Sequence, residues 1–246
     1  MAKLKNDLPE IYQDLLPEAF LQQNREEKLA TCHDCYKAKS TSPQPHYNAK
    51  LKCCTYYPFI PNYLVGAILS DPVFSYAQNI LKKLILERRY ILPIGICAPA
   101  DYQKLFRAKS ESDFGNRADL LCPFYQLQNG GCSIWKFRGH ECATFFCVSS
   151  TGLDGEKYWQ GVRDYLHNVE MELSQSAMVQ KGYTPQEINK NLEYIKRPDD
   201  DREATFELSA LKWANLWLHH EDEIESYFKD CFRFVMTHKD ELKKDL

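Results

Sequence analysis

At 246 residues and 44% hydrophobic, the chain has the size and apolar content for one globular unit or two small ones. Charged residues make up 26% and the net charge is -3, which excludes the basic stripe of a typical nucleic-acid binder. The longest apolar stretches, "YLVGAIL" and "LILERRYILPIGI", are too short or too charged to span a bilayer.

In chain order, the start "MAKLKNDLPEIYQDLLPEAF" has its apolar run broken by Asp7, Pro9, Glu10 and Asp14. It therefore reads as no secretory signal, and a cytoplasmic location is expected. Residues 8–29 read as helix in two pieces, with Pro17 in a first turn. Residues 32–58 hold four cysteines and little periodicity, and predict a loop-rich segment with a flexible middle around "KAKSTSPQPHYNAK". Asp71 and Pro72 predict the cap and first residue of a helix whose apolar stripe is Val73, Ala77, Ile80, Leu81, Leu84 and Ile85. "RYILPIGIC" is the best strand candidate, although Pro93 interrupts it. "RAKSESDFGNRAD" reads as a surface loop.

After "STGLDGEKYW" the chain reads as helical to its end, with interruptions. Trp159, Val162, Leu166, Val169 and Leu173 share one face. Thr184, Pro185 and Glu187 form a capping box. Leu208, Leu211 and Leu218 continue the pattern, followed by Ile224, Tyr227, Phe228, Cys231 and Val235. Asp154 and Glu156 read as a turn and helix start. His219 and His220, before "EDEIE", read as part of a solvated face. The fold class expected is mainly α, with little β: a helical domain around an irregular, cysteine-rich, metal-binding core. Residues 1–152 carry the cysteine cluster and N-terminal helices, and 153–246 form a helical extension packed on them.

The ten cysteines are the informative residues. In a reducing compartment they are expected as ligands or core residues rather than disulfide partners. Cys97 and Cys231 fall in apolar patterns and read as core. The other eight lie in two groups. Cys32 and Cys35 form a C-x2-C pair, and Cys53 and Cys54 are adjacent. Cys122, Cys132, Cys142 and Cys147 follow with gaps of nine, nine and four residues. A C-x2-C pair brings two sulfurs to one ion from a tight turn, and zinc and iron–sulfur clusters both accept four thiolates. Eight grouped thiols suffice for two such centres, and adjacent cysteines suit two neighbouring sites. His33, His46 and His140 lie close enough in sequence to replace a sulfur. Arg138 and Lys136 would offset thiolate charge. "QNGGC" reads as a tight turn presenting Cys132.

At these residues the chain resembles the CxxCxxCC, or YkgJ-type, zinc- or iron-chelating proteins. The matching parts are Cys32 and Cys35, the doublet Cys53-Cys54, "CPFYQLQNGGCSIW", Arg138 and "CATFFC". Two features depart from that pattern: 17 residues, including "STSPQPHYN", separate the C-x2-C from the doublet, and Gly139 stands where the family has proline. The resemblance implies that Cys32, Cys35, Cys53, Cys54, Cys122, Cys132 and Cys142 bind metal, with Cys147 as the eighth ligand. Flagellin lysine N-methylases are distantly similar in cysteine pattern, which favours iron–sulfur. The chain lacks G-x-x-x-x-G-K-S/T, H-E-x-x-H and G-x-G-x-x-G. Three readings stay open in the sequence. The first is a zinc- or iron-chelating protein whose helices serve as a scaffold or a surface for a protein partner. The second is an iron–sulfur enzyme or accessory protein in a redox or methylation-like modification reaction. The third is a metal-free thiol switch built on the C-x2-C pair.

Overall fold

The computed structural model describes residues 2–3, 8–23, 25–27, 37, 47–195 and 207–244. It is 60% helical with 5% strand, so the chain is mainly α. In chain order the elements are β1 (Ala2–Lys3), α1 (Glu10–Gln13), α2 (Glu18–Gln23), β2 (Glu26–Glu27), β3 (Ile60–Pro61), α3 (Asn62–Ser70), α4 (Ser75–Leu86), β4 (Ile91–Leu92), β5 (Gly95–Ile96) and α5 (Ala100–Arg107). Then come β6 (Tyr125–Gln126), β7 (Gly131–Cys132), α6 (His140–Ala143), α7 (Leu153–Gln180), α8 (Pro185–Ile195), α9 (Ala210–Trp217) and α10 (Ile224–Leu242). No described helix is long and apolar enough to cross a membrane.

The chain forms two compact units that interleave in sequence: residues 1–56 with 109–169, and residues 57–108 with 170–246. In the first unit, β1 pairs antiparallel with β2, with Ala2 opposite Glu27 and Lys3 opposite Glu26. The helix expected through residue 29 therefore stops at Gln23, and the chain extends at Glu26–Glu27. Strong helix formers yield here because the Glu27 side chain has acceptor duties in the interior, described below. The predicted face of α7 is buried at Trp159, Val162, Leu166 and Val169. Tyr158 Oη donates to Phe20 O at 3.0 Å and Tyr165 Oη to Leu15 O at 2.7 Å, which holds α1 and α2 on that helix.

In the second unit α3 is buried along almost its whole length, as "YLVGAIL" requires of a helix with no polar face. It packs against α10 at Gly66. A Cβ there would lie 1.9 Å from the Phe228 carbonyl oxygen, so the two backbones meet where no side chain fits. β3, β5 and β4 form a small antiparallel sheet in that spatial order, with Ile96 between Ile60 and Ile91. "RYILPIGIC" is thus a hairpin, and Pro93 sits in its turn instead of breaking a strand. The Pro93 carbonyl accepts from Asn62 Nδ2 at 3.1 Å and Tyr227 Oη at 3.0 Å, so the turn is bound into the core.

Asp71 caps the turn at Pro72 by accepting from Val73 N at 3.1 Å. Ala77, Leu81 and Leu84 face inward as expected, but Val73 is 81% exposed. It lies in the 3-10 turn Pro72–Phe74, out of register with α4. The capping box forms: Thr184 N donates to Glu187 Oε2 at 2.8 Å and Glu187 N to Thr184 Oγ1 at 3.4 Å. In α9 the expected inward Leu211 is 72% exposed, and Trp213, Leu216 and Trp217 are buried instead. Two tryptophans have more apolar surface to remove from water than one leucine, and they set the rotation of this short helix. Cys97 and Cys231 are core residues, as are Ile224, Tyr227, Phe228 and Val235. His220 corrects the solvated-face reading: it is buried, with Nδ1 2.8 Å from Glu223 Oε1 and Nε2 3.0 Å from Lys181 O.

Asp230 joins α10 to the end of α7 through Lys181 Nζ at 3.0 Å, and it also meets Arg233. Burial works to raise the Asp230 carboxyl, but the Lys181 hydrogen bond and charge, with Arg233, hold it below its ordinary value. The folded value is depressed, so its stabilisation is present above the unfolded value of about 4 and is lost as pH falls through the folded value. The carboxylate is partly exposed and water screens the pair. Asp230→Asn is expected to cost about 1 kcal/mol at neutral pH. The gap from the wild-type chain should close toward about pH 2, as read by urea unfolding across that range.

Candidate metal centre

The doublet Cys53-Cys54 leaves a turn built on Asn48. Leu51 N and Lys52 N both donate to Asn48 O at 3.0 Å, and Lys50 N donates to Asn48 Oδ1 at 2.9 Å. Lys52 then adopts a positive φ of 55°, which turns the chain into the doublet. Three ties hold this turn to the segment that begins at Cys122. Cys122 N donates to Cys54 O at 2.8 Å, Tyr125 Oη donates to Lys50 O at 2.8 Å, and Lys52 Nζ donates to Gly130 O at 2.6 Å. The doublet and the second cysteine group, far apart in sequence, are thereby stitched together by backbone and near-backbone contacts.

"CPFYQLQNGGC" folds as anticipated around its glycines. β6 and β7 form a hairpin with Tyr125 opposite Cys132 and Gln126 opposite Gly131. Gly130 takes φ 64°, a left-handed conformation costly for other residues, and its N–H closes the turn on Gln126 O at 2.8 Å. Asn129 Oδ1 accepts from Gly131 N at 2.9 Å. Cys142 sits on the single turn of α6, where Thr144 N and Oγ1 both donate to His140 O, at 3.0 and 2.8 Å.

This frame brings Cys122, Cys132 and Cys142 within electrostatic reach of one another, and Cys53 within reach of Cys142. Burial pushes the Cys122 thiol well up, and Cys142 and Cys132 push it further. The backbone amides of Phe124 and Tyr125 pull the other way, and the Tyr125 N–H closes the turn on Cys122 O at 3.1 Å. Burial likewise raises Cys142, followed by Cys132 and Cys53, while Arg138 opposes the rise. Arg138 is buried, with its guanidinium 3.4 Å from the centre of the Trp135 ring, so this cation is held in a fixed pose. His140 is buried beside the group, its ring 4.9 Å from that of His167. Every cysteine from 53 onward is a free thiol. Cys54 adjoins the group through its carbonyl, and Cys147 is half-buried where the segment ends.

Cys32, Cys35, His33, His46 and the segment expected to be a flexible middle lie outside the described residues, apart from Lys37 and residues 47–50. Among the described residues, no three Cys, His, Asp or Glu side chains close into a cage for one ion. Thiols are the donor type that thiolate-bound zinc or iron requires; the described donors gather without closing a coordination sphere. Chemically, crowded and desolvated thiols must lose protons to become ligands, and a divalent cation is what would repay that loss.

Two polar residues of the first unit went unread in the sequence. Lys52 looks like any surface lysine, and Glu27 like a helix-surface glutamate, because their partners lie 78 and more than 100 residues away. The second unit also carries a groove of about 460 Å³ at the end of α7 and along α10. Its Lys181, Asp230 and Arg233 are engaged with one another. Cys231 at its wall has its thiol pushed up to about 12 by burial, an unreactive sulfur. No protein-family model, no curated protein and no solved structure matches the chain.

Proposed function

We propose that the chain is a metal-binding protein that holds zinc or iron, the latter also as an iron–sulfur cluster, through up to eight thiolates: Cys32, Cys35, Cys53, Cys54, Cys122, Cys132, Cys142 and Cys147. The observation that carries this reading is the convergence of Cys53, Cys122, Cys132 and Cys142, from a turn, a hairpin and a one-turn helix, into one half-buried neighbourhood beside the buried Arg138. The spacing of the cysteines and the likeness to the CxxCxxCC pattern support it. The reaction class follows from the metal. All-thiolate zinc leaves no open position for water and makes the centre structural. An iron–sulfur cluster would make it an electron carrier or an accessory in a modification reaction.

The deciding experiment is an absorption spectrum from about 300 to 700 nm, with metal analysis, on protein purified without oxygen. A brown sample bleached by dithionite establishes iron–sulfur. A colourless sample with stoichiometric zinc establishes the structural site. A folded chain with neither metal ends the metal reading and leaves the thiol switch.

A further inference from the structure

The groove of about 460 Å³ in the second unit is lined by Gln180 and Lys181 from the end of α7, and by Asp230, Arg233, Phe234 and Thr237 along α10. Its volume falls among pockets that take small organic molecules. Among the described residues that line it, Asp230 is the only carboxylate, set against the two cations Lys181 and Arg233. Lys181 Nζ donates to Asp230 Oδ2 at 3.0 Å, and Arg233 Nη2 donates to Oδ1. The carboxylate thus holds two cations side by side yet cancels only one of their charges. Lysine has three N–H donors and arginine five; each spends one on Asp230, so both keep donors for a further acceptor. Gln180 and Thr237 add an exposed amide and an exposed hydroxyl.

A helix C-terminus ordinarily repels an anion, through carbonyls left without donors. At the end of α7 those carbonyls are spent. Lys181 N donates to Ala177 O at 3.1 Å and to Met178 O at 3.0 Å, and Gly182 N donates to Val179 O at 3.0 Å. His220 Nε2 lies 3.0 Å from Lys181 O. The groove therefore meets the Lys181 ammonium rather than bare carbonyls. On the other side Phe234 supplies an aromatic wall. Its ring lies 4.6 Å from that of His238, whose Nδ1 is 3.0 Å from Phe234 O, so the two rings are held as a pair.

We propose that this groove binds a small organic phosphate, with the phosphate group on Lys181 and Arg233 and the apolar body against Phe234. Phosphate suits the site better than carboxylate because its oxygens point in several directions, and the donors come from the end of one helix and the side of another. The groove belongs to the second unit and the grouped thiols to the first, so the proposal does not depend on the metal reading.

The test is isothermal titration of the full chain at low ionic strength with phenyl phosphate, inorganic phosphate and benzoate. Phenyl phosphate is expected to bind at one site, about 2–10-fold more tightly than inorganic phosphate, the increment an aromatic contact supplies. Benzoate, with a single charge and a planar head, is expected to bind more weakly than phenyl phosphate. Arg233→Gln should weaken phenyl phosphate binding about tenfold. The Arg233 side chain is 75% exposed, so this variant is expected to fold. Lys82→Glu, a larger charge change at an exposed residue of α4 outside the groove, should leave the affinity within about twofold. The proposal is overturned if millimolar phenyl phosphate does not bind, or if benzoate binds as tightly. It is overturned equally if the phenyl ring adds nothing over inorganic phosphate, if Arg233→Gln leaves the affinity unchanged, or if Lys82→Glu costs as much as Arg233→Gln.

Discussion

On the proposed metal reading, treatment with a strong chelator is expected to unfold the stretch from Cys122 to Cys147, with loss of amide-exchange protection there. The reason lies in how little that stretch has of its own. Its hairpin has two-residue strands and its helix a single turn. A lone hairpin is marginal in water, and one helical turn is below the length at which a helix sustains itself. The apolar anchors Phe124, Tyr125, Ile134 and Ala143 are few for the length of chain they must fix. A structural zinc supplies of order 10 kcal/mol of folding energy at neutral pH, far more than these elements contribute alone. Cys122→Ser should act in the same direction and lower the metal content of the purified protein. Cys231→Ala should cost stability through a core cavity and leave metal content unchanged. Protection that survives chelation at Cys122–Cys147 would show that the stretch folds without an ion.

Gly66→Ala is expected to destabilise the second unit by about 3 kcal/mol or more, or to prevent its folding. The added methyl would lie 1.9 Å from Phe228 O, 2.6 Å from Phe228 C and 2.9 Å from Phe232 Cβ. Two of these are backbone atoms of a packed helix, so relief requires α3 to move away from α10 and to give up buried contacts along both. Gly161→Ala is the matched control. It too is a helical glycine, but its methyl would meet nothing nearer than Phe20 Cε1 at 3.7 Å. It should be neutral or mildly stabilising, through helix propensity alone. Urea midpoints of the two variants, compared with the wild-type chain, separate close packing from a general intolerance of alanine.

The helices were legible because long amphipathic patterns report their own burial: Trp159, Val162, Leu166 and Val169, and likewise Ile224 to Val235, needed no partner to be identified. The capping box at Thr184 was legible for the same reason, since both its residues lie within one turn. The cysteine group was legible as a spacing, and the hairpin presenting Cys132 as a glycine turn. What escaped depends on partners that sequence order does not reveal. Glu27 became a strand residue because Ser149, Ser150 and Trp159 required an acceptor. His220 became a core residue because Lys181 O and Glu223 were placed to receive both ring nitrogens. Polar residues show no periodicity that separates a satisfied interior site from a wet surface, so these two could be read only from the folded chain.

The interleaved units have a consequence for the order of events during synthesis. Neither unit is contiguous, and the doublet Cys53-Cys54 precedes Cys122 by nearly seventy residues of intervening chain. At about 5–20 residues per second, the ribosome therefore releases these thiols several seconds before the hairpin that covers them exists. Over that interval they are nucleophiles in open water, available to oxidants and to whichever soft metal arrives first. Reducing conditions during synthesis would keep them as thiols until Cys122 and Cys142 emerge.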